Sequence, residues 1–348
     1  MTDIQDQKLT DSVKYVNLVS QTHPHLNYRV DEHLGHRFVA HLDIAEPLLP
    51  GSLRRAIEAS QKIVPRYLKP KALFLGTPFE PYRQDEVLNA LPPLDTLSGV
   101  LKTAQESHDT QCVVMTNISP THPRIPELLH NRFTLLPSFP DMVMNLREVS
   151  SFDDYLLTLK SEDRSSIRRN LRVFGERGYT LNLAEDGSLY EEALFQAYLP
   201  FFERAKVKWF PHTQAFFRDA TKLGTSVRLF IAFDSDHKLA GFSMGFFHSG
   251  MYHAGRLGVR PDLHLRDRVY FALLYRFIED AIALRAHTLS LEPTAYRLKR
   301  HLGAKPKPVV NAILGQSLFW KSALWAAKPV GYFLLQHLNR LRLLEANY

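Results

Sequence analysis

The chain has 348 residues, 45% of them apolar and 11% aromatic, which excludes an intrinsically disordered protein and allows two domains of ordinary size. A formal net charge of +7 favours anionic partners such as nucleic acid, phosphorylated cofactors or acidic lipid, and a single cysteine excludes a disulfide framework. The sequence has no run of about 18 uncharged apolar residues and begins with a polar, acidic segment unlike a signal peptide, so we expect a cytoplasmic protein.

The first part of the chain, residues 1–146, predicts an α/β unit. Cys112 lies in one of its apolar runs, so we expect a buried structural thiol rather than a nucleophile. Apolar runs bounded by turn residues predict strands, and helical spacing predicts helices. The predicted strands are 72–76, 110–116, 133–137 and 142–146, and the predicted helices are 53–63 and 97–107.

A helical junction follows. Ser151 and Asp154 have the spacing of a capping box, which predicts a helix beginning at residue 152. Farther along, steps of four place Arg164, Arg168 and Arg172 on one stripe of a second helix. This stripe is either a solvated helix face or a surface that binds RNA or acidic lipid.

The order of elements between residues 179 and 315 is the most informative pattern in the chain. An antiparallel meander leads through a helix to a crossing strand, and such a sheet can splay open beside the N-terminus of that helix. We predict strands at 179–183, 228–234, 238–248, 251–259, 288–292 and 309–314, with helices at 189–204, 213–223, 269–285 and 296–302.

Beyond residue 315 the sequence predicts two helices separated at Pro329. The second is amphipathic, so it either packs on the protein or lies on a membrane surface. Its apolar stripe consists of Val330, Leu334, His337, Leu341 and Leu344, and the basic residues nearby are Lys321, Lys328, Arg340 and Arg342.

Two motifs resemble FemAB-like proteins, the branch of the GNAT superfamily in which two GNAT domains are fused. Residues 151–170 are similar to the linker that precedes the second domain of these proteins, and residues 299–304 resemble the lysine-to-glycine signature near that domain's end. The resemblance covers residues 133–315. It implies an α/β (α+β) fold of tandem GNAT-like domains, each a mixed, mostly antiparallel splayed sheet flanked by helices.

With this resemblance we divide the chain into three segments. Residues 1–146 would be a divergent N-terminal GNAT-like domain, residues 147–315 the catalytic GNAT domain, and residues 316–348 a C-terminal extension of amphipathic helices. The family transfers acyl or aminoacyl groups to amines, from acyl-CoA or from aminoacyl-tRNA. We favour acyl-CoA, since the chain lacks the long coiled-coil insertion common among the tRNA users, and tRNA remains the alternative partner.

The resemblance also indicates where a cofactor would bind. CoA users have an Arg/Gln-x-x-Gly-x-Gly/Ala turn before the long helix, but residues 265–272 contain no glycine. Arg266 and Arg268 would then hold phosphates by their side chains, unless they form an ordinary solvated turn. We also place Val259, at the end of the preceding strand, and Lys299 beside the cofactor.

His253 and Glu292 are the candidate catalytic residues. His253 has a side chain whose pKa suits a general base, and Glu292 ends a strand where it would act as base or bind an ammonium group. The alternatives are a structural histidine and a helix cap. Strict alternation puts Tyr252 and Arg256 on the face opposite His253, and it does not indicate which face lines the cleft.

The candidate substrate-binding residues are Tyr252, Arg256, Tyr296 and Trp209. No spacing of histidines and cysteines predicts a metal site. The acceptor amine is not identified by the sequence. A non-catalytic binder of RNA or acidic lipid is the remaining alternative to an enzyme, and the C-terminal helices allow a peripheral membrane contact.

Overall fold

The structure is a computed structural model that describes residues 14–31, 33–42, 59–60, 62, 69–77, 88–204, 211–263 and 265–325. Its strands are β1 (Arg29–Asp31), β2 (Gly35–His41), β3 (Lys71–Leu75), β4 (Cys112–Ile118), β5 (Thr134–Pro137), β6 (Asp141–Asn145), β7 (Thr180–Ala184), β8 (Val227–Phe233), β9 (Leu239–His248), β10 (Met251–Val259), β11 (Thr288–Ser290), β12 (Lys305–Lys307) and β13 (Val310–Gly315). Its helices after residue 90 are α1 (Leu94–Ser107), α2 (Ile125–His130), α3 (Phe152–Thr158), α4 (Ser161–Glu176), α5 (Glu191–Arg204), α6 (Gln214–Asp219), α7 (Val269–Ala283), α8 (Tyr296–His301) and α9 (318–325).

The chain divides into two compact units, and neither is continuous in sequence. Unit A consists of His23–Pro140 and Lys307–Tyr348, and unit B consists of Met1–Thr22 and Asp141–Pro306. The expected divisions after residues 146 and 315 differ from this arrangement. The strand expected to close the first domain lies in the sheet of unit B, and the strand expected to close the second lies in the sheet of unit A. Periodicity predicts that a segment is a strand, but not which strand it pairs with.

The sheet of unit A has the order β1-β2-β3-β4-β13-β5. β3 and β4 are parallel, whereas β13 is antiparallel to both β4 and β5 and lies between them. Leu73, Val113 and Ala312 belong to its buried core, against which α1 packs its apolar face. Cys112 is fully buried, as expected, and burial raises the pKa of its thiol to about 12.

The sheet of unit B has the order β12-β6-β11-β10-β9-β8-β7. β7 to β10 form an antiparallel meander, and α7 then connects β10 to its parallel neighbour β11. α7 is buried along most of its length, because Leu273, Phe277 and Ile278 pack beneath this sheet. α5 packs against β9 and β10. The mixed, mostly antiparallel sheets flanked by helices confirm the expected fold class.

The junction helix begins as its capping box predicts. The Oγ of Ser151 accepts a hydrogen bond from the N–H of Asp154 at 3.0 Å, and α3 starts at the next residue. In the part of the chain that the structure describes, no helix combines the length and apolar character needed to cross a bilayer. The predicted helix 53–63 lies largely outside the described residues, and the apolar stripe of residues 330–344 lies wholly outside them.

Candidate active site

β10 and β11 separate part of the way along their length. Their shared register covers three residues, from Met251 opposite Thr288 to His253 opposite Ser290. Beyond Ser290 the chain follows β6 instead, since the N–H of Leu291 donates to the main-chain oxygen of Met142 at 2.8 Å. β10 continues to Val259 with β9 as its partner. The sheet therefore splays at this point, as the order of elements indicates.

A β-bulge in β10 changes which side chains share a face. Against β9, His253 lies opposite Phe246 and Arg256 lies opposite Met244, so three steps on β10 match two on β9. Because opposed residues project to the same side of a sheet, the extra residue puts Arg256 on the face of His253. The prediction from strict alternation, which paired Arg256 with Tyr252, is corrected by this bulge.

Tyr252 lies on the opposite face, beneath the sheet, and is 0% exposed. Its hydroxyl donates to Oδ2 of Asp280 at 2.9 Å, and Arg228 forms an ion pair with the same carboxylate. Burial raises the pKa of the Tyr252 phenol well above its usual value. Tyr252 therefore belongs to the packing between β10 and α7, which corrects its expected place beside the substrate.

Glu292 and Arg256 meet at the splay. Nη1 of Arg256 lies 3.5 Å from Oε2 of Glu292, and the two side chains are 19% and 27% exposed. Both charges are therefore partly shielded from water, yet still reachable from it. The structure brings these two predicted site residues together on the face that also carries His253.

The turn after β11 holds its backbone in an unfavourable conformation. Glu292, Thr294 and Ala295 have φ values of 61°, 71° and 47°, a region that costs residues other than glycine about 1–3 kcal/mol each. Such strain persists only where neighbouring contacts fix the chain. We call residues 292–295 the strained turn.

Lys299 on α8 is one of the groups that fix the strained turn. Its Nζ donates to the main-chain oxygens of Glu292 and Pro293, both at 2.9 Å. Burial lowers the pKa of Lys299 to about 8, although Glu292 and Asp141 oppose this shift. The structure thus assigns Lys299 contacts with the turn, where the sequence suggested contact with a cofactor.

Two residues that the sequence did not single out complete these contacts. The Oγ of Ser290 lies 2.8 Å from both carboxylate oxygens of Asp141 and accepts the N–H of Glu292 at 3.2 Å. Tyr296, at the start of α8, is buried, and burial raises the pKa of its phenol. Ser290 could have been found from the sequence, because it is a polar residue within an apolar strand. Asp141 could not, because its position depends on the pairing of β6 with β11.

The N-terminus of α7 carries the two predicted phosphate contacts. Arg268 is the N-cap with φ 64°, a conformation that glycine adopts more easily. Its guanidinium lies 5.6 Å from the ring centre of Phe271, and its Nε is buried with no hydrogen-bond partner among the described residues. Arg266 is exposed, and Asp267 between them is buried in an ion pair with Arg177.

The other predicted site residues lie elsewhere. Val259 is buried in a core cluster with Val269 and Leu273, so its side chain packs on α7 rather than projecting toward a ligand. Trp209 lies outside the described residues. Among the residues that the structure describes, no group of three or more His, Cys, Asp or Glu side chains is arranged to hold a metal ion.

Comparisons with known proteins agree with this architecture. Residues 161–300 match the acetyltransferase (GNAT) domain family. No curated protein matches the sequence. Three similar solved structures share 10–11% identity with the chain, so they bear on the fold alone.

The first of these is the C-terminal domain of a candidate lysylphosphatidylglycerol synthetase from Agrobacterium fabrum, with a TM-score of 0.52, 11% identity, and coverage of 91% of this chain and 94% of that one. L-PGS from Bacillus licheniformis has a TM-score of 0.52 and 10% identity, and covers 91% and 96%. FemX has a TM-score of 0.51 and 10% identity, and covers 72% and 82%. Residues 161–300 therefore match the GNAT domain family, and the chain shares its fold with FemX and the two synthetase structures.

Proposed function

We propose that the chain is an N-acyltransferase whose reaction takes place where β10 and β11 separate. The observation that carries this proposal is the Arg256–Glu292 pair, which lies at the splay of a GNAT domain on a strained turn. Partly shielded charges on a rigid support are suited to positioning two reactants, and positioning supplies much of the rate in such reactions. A non-catalytic binder would not need this arrangement.

In the proposed reaction an amine nitrogen attacks the carbonyl carbon of an activated acyl group. The new C–N bond forms as the bond to the leaving sulfur or oxygen breaks, the amine loses a proton and the leaving group takes one up. The carboxylate of Glu292 would accept the amine proton, and its ion pair with Arg256 would orient that carboxylate. His253, on the same face, is the second candidate base.

Acyl-CoA is the donor we propose first. The family that residues 161–300 match is an acetyltransferase family. At the N-terminus of α7 the helix dipole and the guanidinium groups of Arg266 and Arg268 would favour the pyrophosphate of CoA. The buried Nε of Arg268, without a partner among the described residues, is a donor that such a phosphate would satisfy.

Aminoacyl-tRNA is a second candidate donor, which three observations favour. The turn before α7 lacks the glycines typical of CoA users. One similar structure, which covers 91% of the chain, is named as part of a candidate lysylphosphatidylglycerol synthetase. On α4, Arg168 and Arg169 are exposed and form no ion pair with other described residues, so they are available to an RNA backbone.

Heat stabilisation of the purified protein by each donor separates the two candidates. We expect acetyl-CoA or a longer acyl-CoA to raise the melting temperature, because a ligand that binds only the folded state stabilises it. The substitution Arg268→Ala should abolish that increase, whereas Arg147→Ala, at an exposed arginine of the same unit, should not. If no thioester shifts the melting temperature and charged tRNA does, the first donor is wrong.

A turnover assay with the donor so identified tests the role of Glu292. The substitution Glu292→Gln should lower the rate about 10²- to 10⁴-fold, the usual contribution of a general base, without changing donor binding. Glu176→Gln, at an exposed glutamate on α4, is the matched control. An unchanged rate in Glu292→Gln would indicate that Glu292 is not the base and that His253 is the remaining candidate.

A further inference from the structure

The helix α9 in unit A leaves three large apolar side chains in solvent. Leu318 is 81% exposed, Phe319 is 62% exposed and Trp325 is 73% exposed. At about 100° per residue, Trp325 lies about 20° from Leu318 around the helix axis and Phe319 lies about 100° from it, so the three side chains fall within one arc of about 120°. Such a concentration within eight residues exceeds the single exposed apolar residues that ordinary surfaces carry.

The opposite face of α9 is fixed to the sheet of unit A. Leu324 is fully buried, and Trp320 is half-buried. Gly315, the last residue of β13, allows close approach, since a Cβ at this position would lie 3.0–3.1 Å from main-chain atoms of Trp320 and Lys321. The exposed apolar face is therefore held outward by a rigid attachment.

The charge of this region indicates what the face contacts. Residues 316–348 contain four basic residues, Lys321, Lys328, Arg340 and Arg342, and one acidic residue, Glu345. Lys321 is exposed on α9 itself, between Phe319 and Trp325. Tryptophan beside lysine is typical of segments at a bilayer surface, where the ring enters the interface and the ammonium group reaches the lipid phosphates.

We propose that α9 docks on the surface of an anionic lipid bilayer, with Leu318, Phe319 and Trp325 inserted and Lys321 at the headgroups. Binding of this kind combines burial of apolar area with attraction to anionic lipid. In this proposal α9 lies on the surface of the bilayer and does not cross it.

Flotation of the full-length protein with vesicles tests the proposal. We expect binding to vesicles of phosphatidylcholine mixed with phosphatidylglycerol, weaker binding to phosphatidylcholine alone, and loss of the difference at high salt. The double substitution Phe319→Ser, Trp325→Ser should lower the partition constant about tenfold or more, since burial of one large apolar side chain corresponds to at least that factor. Lys321→Glu should weaken binding to the anionic vesicles specifically.

The matched control is the double substitution Leu157→Ser, Leu189→Ser, which removes two exposed leucines of unit B and should leave vesicle binding unchanged. Melting temperatures of all variants establish that they fold. Absence of vesicle binding by the wild type, or equal binding by the α9 and control variants, overturns the proposal. So does a wild-type dimer that the α9 substitutions dissociate, because the face would then bind a second copy of the chain.

Discussion

At the scale of single residues, the strained turn shows why Lys299 matters. A buried lysine is unfavourable unless its three donors are used, and here two of them hold main-chain oxygens of Glu292 and Pro293. These contacts offset the positive φ values of residues 292–295 and so fix the carboxylate that faces Arg256. Lys299 therefore holds the backbone of the turn that carries Glu292.

The lowered pKa of Lys299 leads to a prediction about stability and pH. Between about pH 8, its pKa in the folded protein, and pH 10.5, its ordinary value, the unfolded state binds more protons than the folded state. The free energy of unfolding of the wild type should then rise with pH across this window relative to Lys299→Met. The rise is at most about 3 kcal/mol, since one pKa unit corresponds to about 1.4 kcal/mol.

Urea unfolding at pH values on either side of this window measures the difference. Comparing variants cancels the contributions of other titrating groups. Lys305→Met, at an exposed lysine of β12, should follow the wild type. Parallel pH profiles for Lys299→Met and the wild type would show that burial does not lower the pKa of this lysine.

The sequence predicted part of the site at this scale. Glu292 and Lys299 followed from the end of a strand and from a resemblance, and the structure places them in contact. Asp141 was missed, because its contact with Ser290 exists only once β6 pairs with β11. Arg256 was assigned to the face of Tyr252, because a bulge is not visible in the pattern of apolar side chains.

At the scale of elements, prediction from sequence was most successful. The third meander strand has the bounds 251–259 in both the prediction and the structure, and most other elements of unit B begin or end within a few residues of theirs. Local patterns sufficed because apolar alternation, capping residues and turns are properties of short segments. The bulge in β10 is the exception, since one extra residue changes the face of every residue that follows it.

The packing of β9 and β10 on α7 yields a prediction at this scale. A Cβ on Gly245 would overlap the ring and hydroxyl of Tyr252, whose hydrogen bond to Asp280 would then be displaced. Gly245→Ala should therefore lower the free energy of unfolding by about 1–3 kcal/mol, the usual cost of overpacking.

The matched control is Gly175→Ala in α4, where nothing lies within 4 Å of the added methyl group. It should stabilise the protein by about 0.5–1 kcal/mol, because alanine favours the helix. Urea unfolding of both variants measures the contrast. Equal effects at the two positions would mean that Tyr252 is not packed against Gly245.

At the scale of the whole molecule, the sheet of unit A is completed by a strand from a distant part of the sequence. β13 comes after residues 161–300 in sequence, but in the sheet it lies between β4 and β5. The sheet of unit A is therefore complete only when residues 310–315 have joined it. The expected domains were contiguous because sequence proximity was the only guide to pairing. The residues of an apolar strand do not indicate which of the two sheets the strand joins.

This arrangement predicts the effect of shortening the chain. Without β13, β4 loses its antiparallel partner and β5 loses its attachment to the sheet, which exposes the side of the core that Ala312 and Ile313 cover. A chain ending at residue 306 should therefore lose amide-exchange protection across Cys112–Ile118, whereas a chain ending at residue 325 should keep it. Hydrogen exchange with mass spectrometry of both chains makes the comparison. Full protection of β4 in the shorter chain would show that the sheet of unit A forms without its last strand.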